Sequence, residues 1–299
     1  MTTNNVIFVG DLHLKEKSPI CRRDLFPIAI LNKIEYIASL AKSYNCKTIM
    51  LLGDVFDSPV TTLPYLASVI NTFKKVHDAG ITVYTIVGNH DIKHNLMSNL
   101  PTSALGILIS TGYVQLAPSE FKIKNTTFKC FNYPEKLTPK SSDEYEMCVA
   151  HQYYKFTIAD DNLTEDDVKK LNYDAMILGH LHVPCDTEVV GNTTIYRPGS
   201  LSRNTSEPYN KLRIPRVLVY NCSNHKAIYA EVACAAAEDV FVENIEANNQ
   251  ETLSMKDLIN FITTSYQSTD MNVRDYFCNI NIPIDCRQKI AGYLDSIGA

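Results

Sequence analysis

The chain has 299 residues, 45% of them hydrophobic, and a formal net charge of −5 at pH 7. A chain of this length and composition can hold one large folded domain and a small one, which argues against an intrinsically disordered protein. The acidic balance argues against a protein that coats nucleic acid by bulk electrostatics, although it leaves room for a local basic patch.

Residues 1–5 contain no basic region followed by an apolar stretch. No apolar run approaches the ~20 residues that are needed to span a bilayer. We therefore expect a cytoplasmic protein without a signal peptide or a membrane segment.

The nine cysteines include no close-spaced pair, so they fit neither a disulfide framework nor a zinc ribbon. We interpret them as reduced core thiols.

Five short apolar runs that are rich in β-branched residues predict buried strands. They cover residues 6–9, 49–52, 83–87, 147–150 and 175–178. Amphipathic periodicity predicts helices over residues 25–44 and 62–79, the second of which ends at Gly80. The alternation of strand and helix in the first part of the chain indicates an α/β layered core.

Short strands dominate after about residue 112, and they predict a second sheet packed on the first. These strands cover residues 121–124, 127–131, 188–190, 193–196, 216–220 and 227–232. A boundary at residues 234–238 separates a domain of residues 1–235 from a small acidic module of residues 236–299. In that module we expect strand, helix, strand and helix over residues 240–245, 252–266, 276–282 and 285–297.

A polar segment follows each of the five buried strands. The segments are Asp11-Leu12-His13, Gly53-Asp54-Val55-Phe56-Asp57, Gly88-Asn89-His90-Asp91, His151 and Gly179-His180-Leu181-His182. In open α/β sheets, ligands collect outside the carboxyl ends of the strands, so we expect these side chains to share one crevice.

Residues i and i+2 of an extended segment point to the same side. We therefore expect Asp11 and His13 to bind one metal centre together. We expect the same of His180 and His182. Carboxylate, amide and imidazole groups at the ends of five strands indicate a two-metal site.

In their order over residues 6–182, the five segments resemble the signature of the calcineurin-like metallophosphoesterases. A narrower resemblance is to the SbcD-type nuclease subunits of the double-strand-break repair complex. It is carried by residues 53–57, by Arg23-Asp24 and by Tyr196-Arg197-Pro198-Gly199-Ser200-Leu201-Ser202-Arg203. The chain departs from that pattern in its short tail, whereas many relatives continue into a segment that binds a coiled-coil ATPase.

The resemblance implies an α/β fold, a four-layer α/β/β/α sandwich with a small α+β C-terminal cap. Residues 1–235 would form the nuclease domain and residues 236–299 the capping module. As partners it implies DNA and an SbcC-like coiled-coil ATPase subunit, with a homodimer as a further option and no membrane.

The resemblance also implies two metal sites that share one carboxylate. One site would contain Asp11, His13, Asp54 and His182, and the other Asp54, Asn89, His151 and His180. Nitrogen and oxygen ligands suit Mn²⁺, Fe²⁺ or Zn²⁺, and the resemblance favours Mn²⁺. His90 would contact the scissile phosphate or the leaving oxygen, and Asp91 would orient His90.

Three further features have two interpretations each. Asp24 is interpreted as a helix N-cap rather than a substrate contact, and Asp57 either supports the site or lies in a turn. Residues 197–226 contain six bases and one acid. This stretch is either a solvated strand face or a phosphate track, for which Arg203, Arg213 and Arg216 are the candidate contacts.

The expected function is that of a Mn²⁺-dependent phosphodiesterase acting on DNA, an exonuclease or endonuclease in repair or recombination. One alternative is a phosphodiesterase for small cyclic or linear nucleotides, with the same metals in a narrower pocket. A second alternative is a scaffold with a degenerate site that binds nucleic acid or a partner, and the complete set of ligands argues against it.

Overall fold

The computed structural model describes residues 4–155 and 162–242. The predicted elements over residues 252–266, 276–282 and 285–297, and most of the strand over 240–245, lie outside the described residues. Within the described ranges, no helix has the length and apolar character needed to cross a membrane.

The described strands and helices are numbered in chain order. The strands are β1 (Asn5–Val9), β2 (Cys46–Leu51), β3 (Thr82–Thr85), β4 (Gln115–Leu116), β5 (Glu120–Ile123), β6 (Thr126–Phe131), β7 (Glu146–His151), β8 (Ala175–Gly179), β9 (Cys185–Val190), β10 (Thr193–Arg197), β11 (Arg216–Asn221) and β12 (Ala227–Glu231). The α-helices are α1 (Phe26–Ser43), α2 (Leu63–Asp78), α3 (Ala104–Ser110), α4 (Glu165–Leu171), α5 (Pro208–Leu212) and α6 (Ala237–Val240).

These strands form two sheets of six strands each. The first has the order β12-β11-β1-β2-β3-β4 and the second β5-β6-β7-β8-β10-β9. The strands over residues 216–220 and 227–232, which we expected in the second sheet, belong to the first sheet. There β11 pairs antiparallel with β1. A strand's own residues do not specify its partner, which depends on the packing of distant parts of the chain.

Alternate residues of β1 point into two different hydrophobic cores. Ile7 and Val9 pack with α1 and α2 on one face of the first sheet, whereas Val6 and Phe8 pack against residues of the second sheet. This is the period of two that a strand buried on both faces requires.

The helix α4 covers the far face of the second sheet. Its Val168 and Leu171 pack with Met176 and Leu178 of β8. Helices, sheet, sheet and helix therefore form four layers, and the predicted α/β/β/α sandwich is confirmed. The sequence prediction missed α3 and α4, although Thr164 and Asp167 form a capping box at the start of α4.

The start of α1 corrects one expectation. The N-cap residue is Leu25, whose side chain makes no capping hydrogen bond, and the amide of Phe26 donates to Oγ of Ser18 at 3.0 Å. The carboxylate of Asp24 instead accepts two hydrogen bonds from Arg22, at 2.8 Å from Nε and 2.6 Å from Nη2. Asp24 therefore belongs to an ion pair rather than to a helix cap.

The described part of the predicted capping module contacts the large domain. Val240 and Phe241 pack against Cys21, and the amide of Arg23 donates to the carbonyl of Val240 at 2.9 Å. The boundary at residue 236 stays a prediction, since the remainder of the module lies outside the described residues.

Candidate metal centre

The polar segments come from both sheets and meet where the carboxyl ends of their strands lie side by side. Residues that follow β1, β2 and β3 come from the first sheet, whereas His151 ends β7 and His180 follows β8 in the second sheet. The expected crevice therefore forms between two packed sheets rather than at the edge of one open sheet.

One cluster of possible metal ligands contains Asp11, His13 and His182, whose ligand atoms all lie within 4.8 Å of one another. The Nε2 atoms of His13 and His182 are 2.8 Å apart, and Oδ2 of Asp11 is 3.5 Å from Nε2 of His182. Asp11 and His13 are buried, and His182 is partly exposed.

A second cluster contains Asp54, His151 and His180. Oδ2 of Asp54 lies 3.3 Å from Nε2 of His151, and Oδ1 of Asn89 lies 3.1 Å from the same nitrogen. The other ring nitrogen of His151, Nδ1, is 2.8 Å from the carbonyl oxygen of Leu52. That contact selects the tautomer that leaves Nε2 toward the cluster.

The rule for extended backbone placed His180 and His182 at one centre, whereas the family resemblance placed them at two. The structure puts them in different clusters. His180 has a φ of +83°, so the segment turns there, and the rule for extended backbone does not apply. His180 joins the second cluster and His182 the first. Asp11 and His13 do share one cluster, as expected.

Asp54 lies between the two clusters. Its Oδ2 atom is 3.3 Å from His151 and 3.8 Å from Nε2 of His13, while its Oδ1 accepts the backbone amide of His90 at 2.9 Å. Gly88 packs closely against the side chain of Asp54. A Cβ atom at position 88 would lie 2.2 Å from Oδ1 of Asp54, too close for any other residue. A glycine at position 88 therefore lets the two loops approach.

The buried atoms of these clusters fit a divalent metal ion. Oδ2 of Asp11 and Oδ2 of Asp54 are buried and have no hydrogen-bond partner among the described residues. Burying an ionised oxygen without a partner is costly, and a cation supplies the missing partner. Burial holds the pKa of His180 well below the usual range, which keeps its imidazole in the neutral form that binds metals.

The other ionisable groups respond to the two aspartates. Burial disfavours the charged form of His151, but Asp54 and then Asp11 outweigh burial and raise its pKa to about 9. Burial also opposes ionisation of Asp54, yet His151, His90 and His13 hold the pKa of Asp54 well below its usual range. Asp54 is therefore an anion, as a bridging ligand has to be.

His90 lies beside the first cluster, with its ring at 87° to that of His13 and the centroids 4.9 Å apart. Its Nδ1 is 2.9 Å from the carbonyl oxygen of Asp57. A carbonyl can only accept, so Nδ1 carries the proton, and Nε2 is the nitrogen left for a substrate.

The expected role of Asp91 is corrected. Asp91 is fully buried, and its two oxygens accept the amides of Phe56 at 3.0 Å and of Gly88 at 2.9 Å. It therefore ties the loop after β2 to the loop after β3. The carbonyl of Asp57, rather than the carboxylate of Asp91, orients His90.

Asp57 forms a third group of possible ligands with His13 and His90, whose ligand atoms all lie within 4.8 Å of one another. Its Oδ1 atom is 2.7 Å from Nζ of Lys15 and 3.4 Å from Nδ1 of His13. Burial opposes ionisation of Asp57, but His13 and Lys15 hold the pKa of its carboxyl well below its usual range. Of the two interpretations of Asp57, these contacts favour support of the site.

Two aromatic residues beside the second cluster were not predicted. The ring centroid of Tyr153 lies 3.6 Å from that of His180, and the ring of Tyr133 lies 6.1 Å from His180 and 6.4 Å from His151. The sequence feature that could have indicated Tyr153 is its position two residues after the candidate ligand His151.

The three candidate arginines contact the protein itself. Arg203 donates to the carbonyl of Ala235 at 2.6 Å, and Arg213 donates to the carbonyls of Ser200 and Ser202. Arg216 donates to the carbonyl of Cys185 at 2.5 Å and stacks on Tyr229 at 3.7 Å from the ring centroid. These contacts hold the three guanidinium groups against the protein, which favours a structural role over the predicted track for a DNA backbone.

The chain is similar to known proteins over most of the described residues. A model of the calcineurin-like phosphoesterase superfamily domain matches residues 5–214. Over 197 residues the chain is 22% identical to the DNA double-strand break repair protein Mre11 of Methanopyrus kandleri. This alignment covers 58% of this chain and 43% of that protein. The chain thus spans less than half the length of this relative.

Two solved structures are similar to 78% of this chain and to 100% of their own chains. One has a TM-score of 0.50 at 10% sequence identity. The other, TT1561 of Thermus thermophilus, has a TM-score of 0.49 at 9% identity. At this level of identity, the likeness to the first structure concerns the fold alone.

Proposed function

Because this chain belongs to the calcineurin-like phosphoesterase superfamily, we propose that it is a two-metal phosphodiesterase that hydrolyses DNA. The observation that carries the proposal is the position of Asp54, whose Oδ2 lies 3.3 Å from His151 of one cluster and 3.8 Å from His13 of the other. A carboxylate between two sets of ligands is the arrangement that a shared metal pair needs.

In this proposal the ligands divide into two sets. Asp11, His13, Asp54 and His182 would hold one divalent ion, and Asp54, Asn89, His151 and His180 would hold the other. Such ions, when bound, would supply Lewis-acid stabilisation of the phosphate charge and lower the pKa of a bound water. We propose Mn²⁺ as the ion, with Fe²⁺ and Zn²⁺ as the other candidates, because all the donors are nitrogen or oxygen.

The protein's own contribution is the orientation of His90. Since the carbonyl of Asp57 accepts from Nδ1, Nε2 of His90 is left for the substrate. In the imidazolium form, which carries a proton on each nitrogen, Nε2 would donate to a phosphate oxygen or give its proton to the leaving oxygen. Asp91 keeps the two loops that bear Asp54 and His90 together. These contacts position the acid–base group before the substrate arrives.

DNA is proposed as the substrate because the relative from Methanopyrus kandleri is a DNA double-strand break repair protein. From the same resemblance we propose an SbcC-like coiled-coil ATPase as a partner. A second candidate is a phosphodiesterase for small nucleotides. The internal contacts of Arg203, Arg213 and Arg216 favour this candidate, because they remove three of the expected contacts to a DNA backbone.

Hydrolysis assays separate the two candidates. The purified chain, with Mn²⁺, is given linear duplex DNA, a cyclic dinucleotide and a linear dinucleotide under identical conditions. We expect cleavage of the duplex, loss of activity in a chelator, recovery on addition of Mn²⁺, and no cleavage by Asp54→Asn. Cleavage of the dinucleotides without cleavage of duplex DNA would move the assignment to the small-nucleotide enzyme.

A further inference from the structure

A second site is suggested by a cavity of ≈ 290 Å³ whose lining residues include none of the metal-cluster residues. Three cationic side chains, Arg22, Lys33 and Arg203, line it together with Asp24 and Cys234. We call it the basic cavity. Lys33 belongs to α1, whereas Arg203 follows β10 and Cys234 follows β12, so distant parts of the chain converge on it.

The cations of the basic cavity are buried. Their exposed fractions are 8% for Arg22, 9% for Lys33 and 2% for Arg203. Among the described lining residues Asp24 is the one acid, and its carboxylate already accepts two hydrogen bonds from Arg22. Three positive charges therefore face one negative charge, and buried charge of one sign requires a counter-charge.

The protein satisfies only part of the hydrogen-bonding capacity of these cations. Lys33 donates to the carbonyl of Leu201 at 3.0 Å, and Arg203 donates to the carbonyl of Ala235 at 2.6 Å. Nε of Arg203 is buried without a hydrogen-bond partner among the residues described. An ammonium group has three donors and a guanidinium five, and neutral carbonyls accept hydrogen bonds without neutralising charge.

The ionisation of Lys33 responds mainly to its burial. Burial lowers the pKa of Lys33 to about 7; Cys234 opposes the lowering, and the neighbouring Arg203, Arg22 and Arg213 add to it. A bound anion would oppose these effects. Three observations thus indicate that the cavity lacks negative charge. The cations are buried beside a single acid, some of their hydrogen-bond donors are unused, and the cations repel one another.

We propose that the basic cavity binds a phosphate-class oxyanion, either inorganic phosphate or the phosphate group of a mononucleotide. Several donors from an ammonium and two guanidinium groups match the oxygens of a phosphate better than the two oxygens of a carboxylate. The cavity is also larger than a carboxylate group needs. This inference is independent of the proposed function, because none of the candidate metal ligands lines the cavity.

The first test measures the binding of inorganic phosphate by calorimetry, with the full chain in a chelator so that metal-bound phosphate does not contribute. We expect saturable binding by the wild type. Lys33→Met should weaken it tenfold or more, since it removes a charge-assisted hydrogen bond. The matched control is Lys42→Met, which removes an exposed lysine of the same helix and should leave the affinity unchanged.

Phosphate protection of a thiol provides a measurement on the unaltered protein. Cys234 lines the basic cavity, and Cys185, which is also partly exposed, is absent from its lining. Phosphate should slow maleimide labelling of Cys234 and leave the rate at Cys185 unchanged, as read by peptide mass spectrometry. This result stands even if Lys33→Met fails to fold.

Parallel titrations with inorganic phosphate and a nucleoside 5′-monophosphate show which of the two supplies the bound phosphate group. The ligand that binds more tightly is the one that the cavity accommodates better. The proposal is overturned if neither anion binds the wild type in chelator. Equal affinity of Lys33→Met and the wild type would also overturn it, as would equal protection of Cys234 and Cys185.

Discussion

Nδ1 of His90 lies 2.9 Å from the backbone carbonyl oxygen of Asp57. The carboxylate of the same Asp57 faces His13 of the first cluster, at 3.4 Å from its Nδ1. One residue therefore orients the proposed acid–base group through its main chain and a proposed metal ligand through its side chain. Substitutions at position 57 can alter the second contact while keeping the first.

Replacing His90 should affect the chemical step rather than the metal content. We expect His90→Ala to keep both ions and to lower turnover by about 10²–10⁴-fold, the usual contribution of a positioned acid–base group. Metal analysis and steady-state kinetics of the same sample check this. Asp57→Asn is the comparison variant, since it keeps the carbonyl that orients His90 and alters the carboxylate that faces His13. A fall in metal content of His90→Ala would make His90 a ligand.

Replacing Asp54 should remove metal and activity together. The carboxylate lies between both clusters, so its loss leaves two divalent charges with no anion between them. We expect Asp54→Asn to be inactive and to retain less than two ions per chain by mass spectrometry of the metals. Two ions bound at wild-type affinity would disprove the bridging role.

Replacing Asp91 should lower stability through the two loops that it joins. Asp91→Ala leaves the buried amides of Phe56 and Gly88 without their acceptor, at about 1–3 kcal/mol for each amide. Urea denaturation measures the free energy of unfolding. We expect Asp91→Asn, which keeps one oxygen acceptor, to lose less than Asp91→Ala. Unchanged stability of both variants would contradict the role of Asp91 in joining the two loops, and would favour the expected role of orienting His90.

Replacing Arg213 should destabilise the protein and affect large and small substrates alike. Its guanidinium donates to the carbonyls of Ser200 and Ser202, and hydrogen bonds of this charged kind contribute about 1.5–3 kcal/mol each. We expect Arg213→Met to lower stability and to reduce cleavage of DNA and of a small chromogenic phosphodiester equally. The control is Lys226→Met, an exposed base of the same stretch. A loss confined to DNA, and smaller at high salt, would restore the phosphate contact.

The stability of the protein should rise with pH because of Lys33. Its pKa is about 7 in the fold, against 10.5 as its ordinary value. Between these values the unfolded chain binds a proton that the folded chain has lost, so the free energy of unfolding increases with pH. Below pH 7 both states are protonated, and the full penalty of burying the charge applies.

The measurement compares unfolding at pH 7 and pH 9 in phosphate-free buffer. Both proteins carry Cys234→Ala, which removes the thiol that lines the same cavity. We expect the rise in stability to be smaller in Lys33→Met than in the protein with Lys33. An equal rise in both would show that Lys33 is not the group responsible.

Local patterns in the sequence predicted most of the strands, the two long helices and the polar segments that follow the buried strands. Apolar β-branched runs predict buried strands from their own composition, and residues such as Asp54 and His151 are recognisable because they stand directly at strand ends. The family signature depends on the same short-range order of segments. These features need no knowledge of which strand lies beside which, so the α/β/β/α class could be predicted as well.

The tertiary structure supplied the contacts that no local pattern in the sequence predicted. The separation of His180 from His182 results from a turn at His180, and the role of Asp91 follows from two amides in different loops. The arginines after residue 200 could not be interpreted because their acceptors are carbonyls brought close by folding. Such contacts join residues far apart in sequence. They depend on how two sheets pack, which no local pattern of residues encodes.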